Sequence, residues 1–577
     1  MSRPGTSVVV SDEIPPVPAA TDTSVGFMVG EAEHGPTDTV LIRSAESWRS
    51  RYGNRVVPTA VFDAVDSFFR DRGSRLYFKR LVDGAVGASA DAGDFTATAQ
   101  DLGAWGDGLR LVLSGGIRAA APPARRRLRL GRAAGELTVD LWSGVTDGKT
   151  MVGQIVLIAV ENEDGDPLGP GDLASIDWGD GSSEVSLGHG YTTAAEGIQI
   201  EVEDNDGNTG TSDAFDVVAA PPGELVISAV VYHSGQVVER SSQLQTVGDL
   251  VAWSAGSAYI RVTADDEDAE LQPGLWAFTG GSDGTVPVVD PDVLLEACLE
   301  IDPALGPGQL SAPGKTALGQ HEALLRGADF GNRVAFLDAD PTADEAELTA
   351  HVKQLRTLEV DRCGGLFAPR AVIPGLAINT RRIVPWSGIQ SGLTAHRDTF
   401  GNIAQPAAGR YGISRAAFAL EREYDDDERE RLMLAGVNTA RVIQQSVRAY
   451  GFRSLVDPEG PRRAWLQLSG VRTAMAIKAE GDAEAENYVF AVLDGRLRKI
   501  AEFGAALSGI CLRYWQNDAL FGLTSEDAFR VDVGDAVNTP ETIADGQLRG
   551  ALLLKVAPFA EFVEFLIVKQ AITESLV

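Results

Sequence analysis

The sequence contains few cysteines, few histidines and no long hydrophobic run. Among its 577 residues are three cysteines (Cys298, Cys363 and Cys511) and six histidines. The cysteines stand singly, without a CxxC pair, which favours free thiols in a reducing compartment. No stretch approaches the roughly 18 apolar residues that a membrane-spanning helix needs, and the first residues lack the profile of a secretory signal. These absences argue against a disulfide-stapled secreted domain and predict no membrane insertion.

Positive charge is scarce as well. Lysine and arginine number 50 against 82 aspartates and glutamates, which leaves a net charge of -32 at pH 7. Because the neutralisation of phosphates requires a basic surface, this balance argues against nucleic acid as a partner. With 44% hydrophobic and 23% charged residues, the composition is that of a soluble globular protein. The length exceeds what one core supports, so roughly three or four domains are expected.

The first 24 residues are predicted to form an extended arm. Val8, Val9 and Val10 make a short β-prone run, and the proline-rich stretch at 14–18 removes backbone donors and holds the chain extended. One interpretation is a frayed terminus. The other is a strand that completes a neighbour's sheet by edge addition.

From residue 25 onwards the pattern is α/β. Residues 26–30 (GFMVG) predict a buried strand, 58–72 a helix with one apolar face, and 76–82 a second strand. Gly73 is placed to end the helix. A strand, a helix and a strand in this order suggest a parallel crossover unit.

Four further elements are predicted in the second half of the chain. Thr342 and Glu345 have the spacing of a capping box ahead of an apolar helix face. A long amphipathic helix is predicted over 489–510. Two β-prone runs follow at 552–556 and 562–568, and the second is a candidate donated strand.

Residues 116–220 differ from their surroundings. Helical periodicity disappears, and short β-prone runs alternate with acidic, glycine-rich turns, which is typical of a small β-sandwich. The segments 177–181 (DWGDG) and 202–209 (VEDNDGNT) resemble hallmark segments of polycystic-kidney-disease-type (PKD-type) immunoglobulin-like domains. The resemblance implies an adhesive or decorating module without catalytic chemistry. Beyond it, 226–238 predicts a β-hairpin that turns at Ser234 and Gly235.

Two motifs imitate catalytic sites without meeting their requirements. Residues 308–316 (GQLSAPGKT) look like a phosphate-binding loop, but five residues separate the glycines instead of four, and Pro313 has no N–H to offer. A turn before a helix is the favoured interpretation. Asp338, His351 and Ser391 occur in the order of a subtilisin triad, yet none lies in a turn motif that would aim a serine at a base. No catalytic residue is predicted.

The sequence also contains one calcium-like segment and one run of arginines. Asp204, Asp206 and Asn208 begin like a calcium loop, but the following glycine comes one place late and the bidentate glutamate is absent. No metal or cofactor is predicted. Arg125, Arg126 and Arg127 lie within a basic run at 118–132. The run is either a solvated linker or a surface that docks on acidic surfaces of neighbouring copies.

Segments spread along the whole chain resemble phage tail sheath proteins. In chain order they are 4–10 (PGTSVVV), 23–30 (TSVGFMVG), 33–36 (EHGP), 47–53 (SWRSRYG), 68–77 (FFRDRGSRLY), 105–110 (WGDGLR), 279–284 (TGGSDG), 435–438 (AGVN), 449–455 (AYGFRSL), 538–546 (NTPETIADG) and 557–563 (APFAEFV). The shared order covers essentially the whole chain except the inserted β-sandwich.

The resemblance implies a multi-domain α/β and α+β fold. Its expected parts are an N-terminal arm at 1–24, an N-terminal α/β-β region at 25–115 and 221–285, an inserted PKD-like β-sandwich at 116–220, a subtilisin-like α/β domain at 286–425, a C-terminal α+β domain at 426–560 and a C-terminal strand or arm at 561–577. The middle domain of the family is subtilisin-like in fold, not in activity.

The resemblance also implies a structural protein and not an enzyme. Subunits of this family polymerise as hexameric rings stacked around an inner tube protein, between baseplate and terminal cap proteins, and contract to drive the tube through a target envelope. Strands from both arms pair into neighbouring subunits. That role falls here to Val8, Val9, Val10, Phe562, Phe565 and Ile567. Assembly is expected in the bacterial cytoplasm, as part of a phage tail or a contractile injection particle.

Two alternatives come from other functional classes. A surface adhesin or binding protein could be built around the β-sandwich at 116–220, but the lack of a secretory profile counts against it. A hydrolase of the subtilisin class is motivated only by the name of the middle domain. Labelling of one serine by a fluorophosphonate probe would revive the hydrolase.

Overall fold

The computed structural model of the chain describes residues 21–115, 137–218, 227–493 and 495–561, with gaps at 146, 153, 163–166 and 184. These residues form two compact units. The sheet unit comprises the chain up to residue 83 and from residue 285 onwards, and the β unit comprises residues 84–284. The chain therefore starts the sheet unit, builds the whole β unit, and returns to complete the sheet unit.

The first part of the sheet unit contains a parallel crossover. Its elements are β1 (Val25–Gly30), β2 (Val40–Ile42), α1 (Ala45–Tyr52), α2 (Val61–Arg70) and β3 (Arg75–Arg80). Strand β1 is buried along its length and pairs in parallel with β3, as the sequence predicts. The observed helix α2 is shorter than the predicted helix over 58–72. Helix ends depend on local cap geometry, which apolar spacing does not encode.

The β unit follows with strands and one described α-helix. In chain order they are β4 (Ser89–Asp91), β5 (Thr96–Ala99), β6 (Leu109–Gly115), β7 (Thr138–Ser143), β8 (Lys149–Met151), β9 (Ile155–Glu161), β10 (Pro167–Leu168), β11 (Leu173–Asp177), β12 (Gly188–Gly190), β13 (Ala195–Ile198), β14 (Glu201–Asp204), β15 (Thr209–Thr211), β16 (Phe215–Val218), β17 (Ile227–His233), β18 (Gln236–Leu244), α3 (Val247–Ser254), β19 (Ile260–Thr263) and β20 (Gly274–Ala277).

The returning chain completes the sheet unit. Its elements are α4 (Pro291–Leu299), β21 (Gln309–Ser311), α5 (Leu318–Phe330), β22 (Val334–Asp338), α6 (Glu345–Leu355), β23 (Gly364–Ala368), β24 (Ala371–Pro374), β25 (Arg381–Val384), α7 (Trp386–Asp398), β26 (Ala419–Leu420), α8 (Asp426–Ala435), β27 (Val437–Ile443), β28 (Ser446–Ala449), α9 (Leu468–Ala485), α10 (Arg498–Gln516), α11 (Ser525–Ala528), β29 (Phe529–Asp532), α12 (Pro540–Ala544) and β30 (Ala551–Leu554).

An eight-stranded sheet forms the centre of the sheet unit, in the order β2-β3-β1-β21-β22-β23-β27-β28. The strands from β3 to β27 run parallel, and the antiparallel strands β2 and β28 close the two edges. One face packs on α4, α5 and α6, and the other on α1, α2, α7 and α9. A parallel sheet covered by helices on both faces is the usual result of crossover connections.

The central sheet crosses two of the predicted domain boundaries. The sequence groups 25–115 with 221–285 and starts new domains at 286 and 426. In the structure β1 pairs with β21, and β23 pairs with β27, so one sheet crosses both of those boundaries. Pairing between distant strands leaves no local periodic signal, which is why the pattern could not join them. The subtilisin-like character of 286–425 stays a prediction.

The β unit contains the predicted hairpin. Strands β17 and β18 pair antiparallel around Ser234 and Gly235, whose φ angles of 47° and 77° are those a two-residue hairpin turn requires. They belong to a four-stranded sheet in the order β18-β17-β6-β20. Strand β6 ends at Gly115, which is the register partner of Ile227 at the start of β17.

The inserted segment has its own core. Strands β7 to β16 surround a cluster that includes Trp178, Tyr191 and Phe215, all fully buried. The Tyr191 hydroxyl donates to the Trp178 carbonyl at 2.9 Å. The described part of the segment, 137–218, contains strands and no α-helix, in agreement with the sequence pattern, while the likeness to PKD-type domains stays a prediction.

Two helix starts differ from their predicted positions. Helix α6 is capped by Asp344 and Glu347, because Thr342 bonds Asp340 in a turn just ahead of it. The helix predicted over 489–510 begins only at Arg498, after a residue in the left-handed region, and Val492 is 81% exposed. In both cases a local turn interrupts a pattern that continues through it.

Candidate assembly sites

The residues predicted for strand exchange and electrostatic docking lie outside the described residues and stay predictions. They are Val8, Val9, Val10, Phe562, Phe565, Ile567, Arg125, Arg126 and Arg127. The structure does describe where both terminal segments join the sheet unit. These places are termed the N-terminal root (residues 21–24) and the C-terminal root (residues 557–561).

The N-terminal root is held by polar contacts to three elements. The Thr21 backbone N–H donates to Glu480 on α9 at 2.9 Å. The Thr23 hydroxyl donates to Asp398 at the end of α7 at 2.8 Å. The Thr23 carbonyl accepts from the side-chain amide of Gln309 on β21 at 2.9 Å. The segment ahead of Thr21 therefore departs from a point fixed on α7 and α9.

The two carboxylates that accept hydrogen bonds from the N-terminal root, on α7 and α9, are buried and paired with arginines. Asp398 and Arg472 form an ion pair whose side chains are 2% and 1% exposed. Glu480, also buried, pairs with Arg513 and accepts from the Tyr514 hydroxyl at 2.9 Å. Burial raises the pKa of Asp398, and Arg472 opposes the rise. Removing one member of either ion pair would leave an uncompensated buried charge. Because that loss is costly, both pairs persist in the folded protein and hold the root on the helices.

The C-terminal root is held by a fork of charge-assisted bonds. Arg453 Nε lies 3.0 and 3.1 Å from the two carboxylate oxygens of Glu561, and a second guanidinium nitrogen also bonds that carboxylate. The Gln467 side chain donates to the Phe559 carbonyl and accepts from the Phe559 N–H, both at 3.1 Å. Such a bidentate arrangement fixes direction as well as position.

Three of the segments that carry the sheath resemblance meet at the C-terminal root. Asn438 comes from 435–438, Arg453 from 449–455 and Glu561 from 557–563. Asn438 Oδ1 accepts from the Arg453 N–H at 2.6 Å, and its amide donates to the Arg453 carbonyl at 2.8 Å. The three motifs are separated in sequence and adjacent in the fold. Asn438 holds the backbone of Arg453, and the Arg453 side chain holds Glu561.

A small sheet with open edges lies just ahead of the C-terminal root in the chain. Strands β29 and β30 pair with each other antiparallel and have no further strand partner among the described residues. Phe503, Leu507 and Ile510 of α10 pack against this sheet, and Leu553 remains 56% exposed. A two-stranded sheet presents unpaired N–H and C=O groups on both sides, which is a template for added strands.

In the segment that resembles a phosphate-binding loop (308–316), Gly314 and Lys315 make contacts within the fold. Lys315 pairs with Glu31, both buried, and donates to the Val288 carbonyl at 2.8 Å. The Gly314 N–H donates to Asp338 at 3.1 Å. A lysine neutralised in this way is not available to a phosphate.

The three residues that occur in the order of a subtilisin triad have separate hydrogen-bond environments. Asp338 accepts from the Ser387 N–H and hydroxyl at 2.8 and 2.6 Å, and burial raises its pKa to about 6. His351 instead bonds His321 at 2.8 Å. Ser391 is buried on α7, and its hydroxyl has no hydrogen-bond partner among the described residues. The three side chains form no relay.

The calcium-like segment forms a closed turn. The Asp204 carboxylate accepts from the Asp206 N–H at 2.9 Å and from the Asn208 N–H and amide at 2.8 Å. Within the described ranges, no group of three or more His, Cys, Asp or Glu side chains is placed to hold a metal ion. None of the described helices is long and apolar enough to cross a bilayer.

Solved structures of sheath tail proteins match this fold over most of the chain. No protein-family model and no curated protein matches the chain. A sheath tail protein from Desulfitobacterium hafniense matches 92% of this chain and 93% of its own length, with a TM-score of 0.51 and 12% identity. A sheath tail protein from Listeria innocua matches 90% of each chain, with a TM-score of 0.52 and 10% identity. The chain therefore has the mixed α/β, multi-domain fold of sheath tail proteins.

Proposed function

We propose that this chain is the structural subunit of a contractile sheath. Subunits polymerise as hexameric rings stacked helically around an inner tube protein, between a baseplate and a terminal cap. Contraction drives the tube through a target envelope. One observation carries the proposal: two terminal segments are rooted by charged contacts on the same unit that presents an open-edged sheet.

In this proposal, strand donation links the subunits. The β-prone runs at 8–10 and 562–568 add to β29–β30 sheets of neighbouring copies, where backbone hydrogen bonds supply affinity. The N-terminal and C-terminal roots keep each donated strand attached to its own sheet unit. Rings can then rotate as rigid bodies while the segments beyond the roots act as tethers.

The chain serves this role without catalysis or a cofactor. The free energy for contraction is stored in the packing of the extended polymer, so no nucleotide is needed at 308–316. Assembly takes place in the bacterial cytoplasm, and the product is a phage tail or a contractile injection particle.

Deletion of residues 1–20 tests the proposal. The cut falls just ahead of Thr21, so the N-terminal root keeps its contacts and the fold should be unchanged. We expect soluble monomers by sedimentation velocity and no striated cylinders by negative-stain electron microscopy, because edge addition has lost its donor strand.

A deletion of residues 1–3 is the matched control, since it shortens the arm ahead of Val8 and should polymerise normally. Normal cylinders from the longer deletion would contradict arm exchange. A wild-type chain that stays monomeric even with its tube protein would contradict the sheath function itself.

Excision of the insert is expected to leave assembly intact. Because Gly115 and Ile227 are register partners, a two-residue Asn-Gly turn in place of 116–226 would close β6 and β17 into a hairpin. Val112 and Tyr232 would lose their cover from the insert, which should cost roughly 3 kcal/mol of unfolding free energy. Electron microscopy and urea unfolding measure the two effects. Loss of polymers from a folded variant would show that the insert bridges subunits.

A further inference from the structure

The C-terminal ends of α2 and α7 meet at a basic cavity. Gly388 faces Ala64 and Gly392 faces Phe68, so the two helices run side by side in the same direction. Just beyond their ends lies a cavity of about 410 Å³. Its charged lining consists of Asp71, Arg72, His396, Arg397, Arg410 and Arg415. This cavity is termed the arginine pocket.

The four arginines of the pocket lack carboxylate partners at ion-pair distance among the described residues, in a chain with a net charge of -32. Arg72, Arg410 and Arg415 are exposed, and Arg397 is half-buried with an Nε that has no hydrogen-bond partner in the described part of the chain. Elsewhere in the sheet unit, the buried arginines Arg382, Arg453 and Arg472 are paired with carboxylates. The buried Arg80 and Arg333 donate to backbone carbonyls instead.

The remaining groups of the pocket do not neutralise it. Asp71 is buried and its oxygens accept from the backbone of Arg415 and Ala416 and from the Ser414 hydroxyl. His396 accepts from Arg72 at 3.0 Å, which requires a neutral ring nitrogen. The two helix ends contribute about half a negative charge each. With Asp71 ionised as well, about two positive charges remain uncompensated.

Aromatic rings hold the guanidinium groups in place. The Arg397 guanidinium carbon lies 4.7 Å from the centre of the Tyr411 ring and 5.4 Å from that of Phe400, and Arg410 lies 5.1 Å from the Tyr411 ring. Stacking on the rings already restricts the motion of the guanidinium groups. Less side-chain entropy is therefore lost when they bind a carboxylate. Arginine and exposed aromatic residues together are typical of protein–protein interface cores.

A matching acidic segment lies on the same chain. Residues 265–270 (DDEDAE) carry five carboxylates in six positions. All five are exposed, and none lies at ion-pair distance from a basic group in the described part of the chain. Their loop is anchored at its backbone, where the Val247 and Gly248 N–H groups donate to the Ala269 and Glu267 carbonyls at 2.9 and 2.8 Å. The Asp266 carboxylate also accepts from the Asp268 N–H at 3.1 Å, and the carboxylate oxygens that are not used in this turn are available to bind a partner.

We propose that the arginine pocket binds the carboxylates of the acidic loop at 265–270 of a second copy of this chain. The inference rests on the proposed function, because only a homopolymer brings one pocket and one loop from every subunit into repeated register. Bidentate arginine–carboxylate bonds give such a contact direction as well as affinity.

A labelled peptide tests the contact directly. The probe is a fluorescein-labelled peptide of residues 262–273, titrated with the full chain and followed by anisotropy. We expect saturable binding that weakens with salt, and at least about tenfold weaker binding to Arg397→Glu/Arg410→Glu. The variant Arg72→Glu/Arg415→Glu should behave alike and leaves the ring contacts of Arg397 intact. Arg49→Glu/Arg326→Glu, with the same change in net charge, should bind as wild type.

Polymerisation then tests the contact in its context. Each pocket variant and the loop variant Asp266→Arg/Glu267→Arg should fail to form cylinders, and the combination of pocket and loop variants should restore them. Equal peptide binding by both pocket variants and wild type would overturn the inference, as would normal polymers from the pocket variants. Failure of the wild-type chain to polymerise would contradict the sheath function alone, since the peptide titration still decides the pocket.

Discussion

Arg472→Met is expected to destabilise the sheet unit by about 3–5 kcal/mol. The substitution leaves the Asp398 carboxylate 2% exposed without its cation, and the Thr23 hydroxyl is then its one remaining donor among the residues that the structure describes. Asp398 Oδ1 already lacks a hydrogen-bond partner within the described residues, so no other group there takes over the charge. Urea unfolding of the monomeric protein measures the loss. Amide exchange at residues 21–24 should accelerate, because the N-terminal root loses the carboxylate that holds it.

The double variant Asp398→Asn/Arg472→Met should recover much of that stability, because the uncompensated charge is gone. Arg326→Met is the matched control, since its ion pair with Glu322 lies on a helix surface with the arginine side chain 53% exposed. That change should cost less than about 1 kcal/mol. If Arg472→Met costs no more than this control, the buried pair does not fasten the N-terminal root.

Gly392→Ala is expected to destabilise the protein by about 1–3 kcal/mol or more. An added Cβ would lie 2.5 Å from the Phe68 carbonyl oxygen and 2.9 Å from its Cα. Both atoms belong to the backbone of α2, which cannot rotate away as a side chain could. The helices must separate, and the packing of both against the central sheet loosens with them. Thermal and urea unfolding measure the effect.

Gly509→Ala on α10 is the control for this substitution. No atom of the described residues lies within 4 Å of the position that a Cβ would take there, so the change should stabilise the helix by up to about 1 kcal/mol. Opposite signs for the two substitutions are the expected result. Equal effects would mean that α2 and α7 are not in backbone contact.

Local patterns predicted the local elements of this fold. The buried strand β1, the hairpin of β17 and β18 and the all-β insert each follow from a period or a turn signal a few residues long. The pairing of β1 with β21 does not, because it joins strands separated by the entire β unit. The resemblance to sheath proteins supplied the overall fold that local pattern could not.

The contacts of the two roots were largely invisible in the sequence. Asp398, Arg472 and Glu480 occupy helices and would ordinarily be assigned to a solvated face, because a buried ion pair has no periodic signature. Asn438 and Arg453 stood within recognised motifs, yet their mutual bonds required the fold. A charged residue among small and apolar neighbours, as Arg472 is within α9, was the one available signal.

The ladder pairing of Gly115 with Ile227 makes the insert interchangeable. Its two connections to the host sheet start about 5 Å apart, the spacing of one antiparallel pair. Any domain whose own termini lie close together fits that gap without a change in the register of β6 and β17. In the proposed polymer, recombination at this position would exchange what each subunit displays without altering the host sheet. The same gap is a natural place to fuse a reporter or a binding domain, at one copy for every chain.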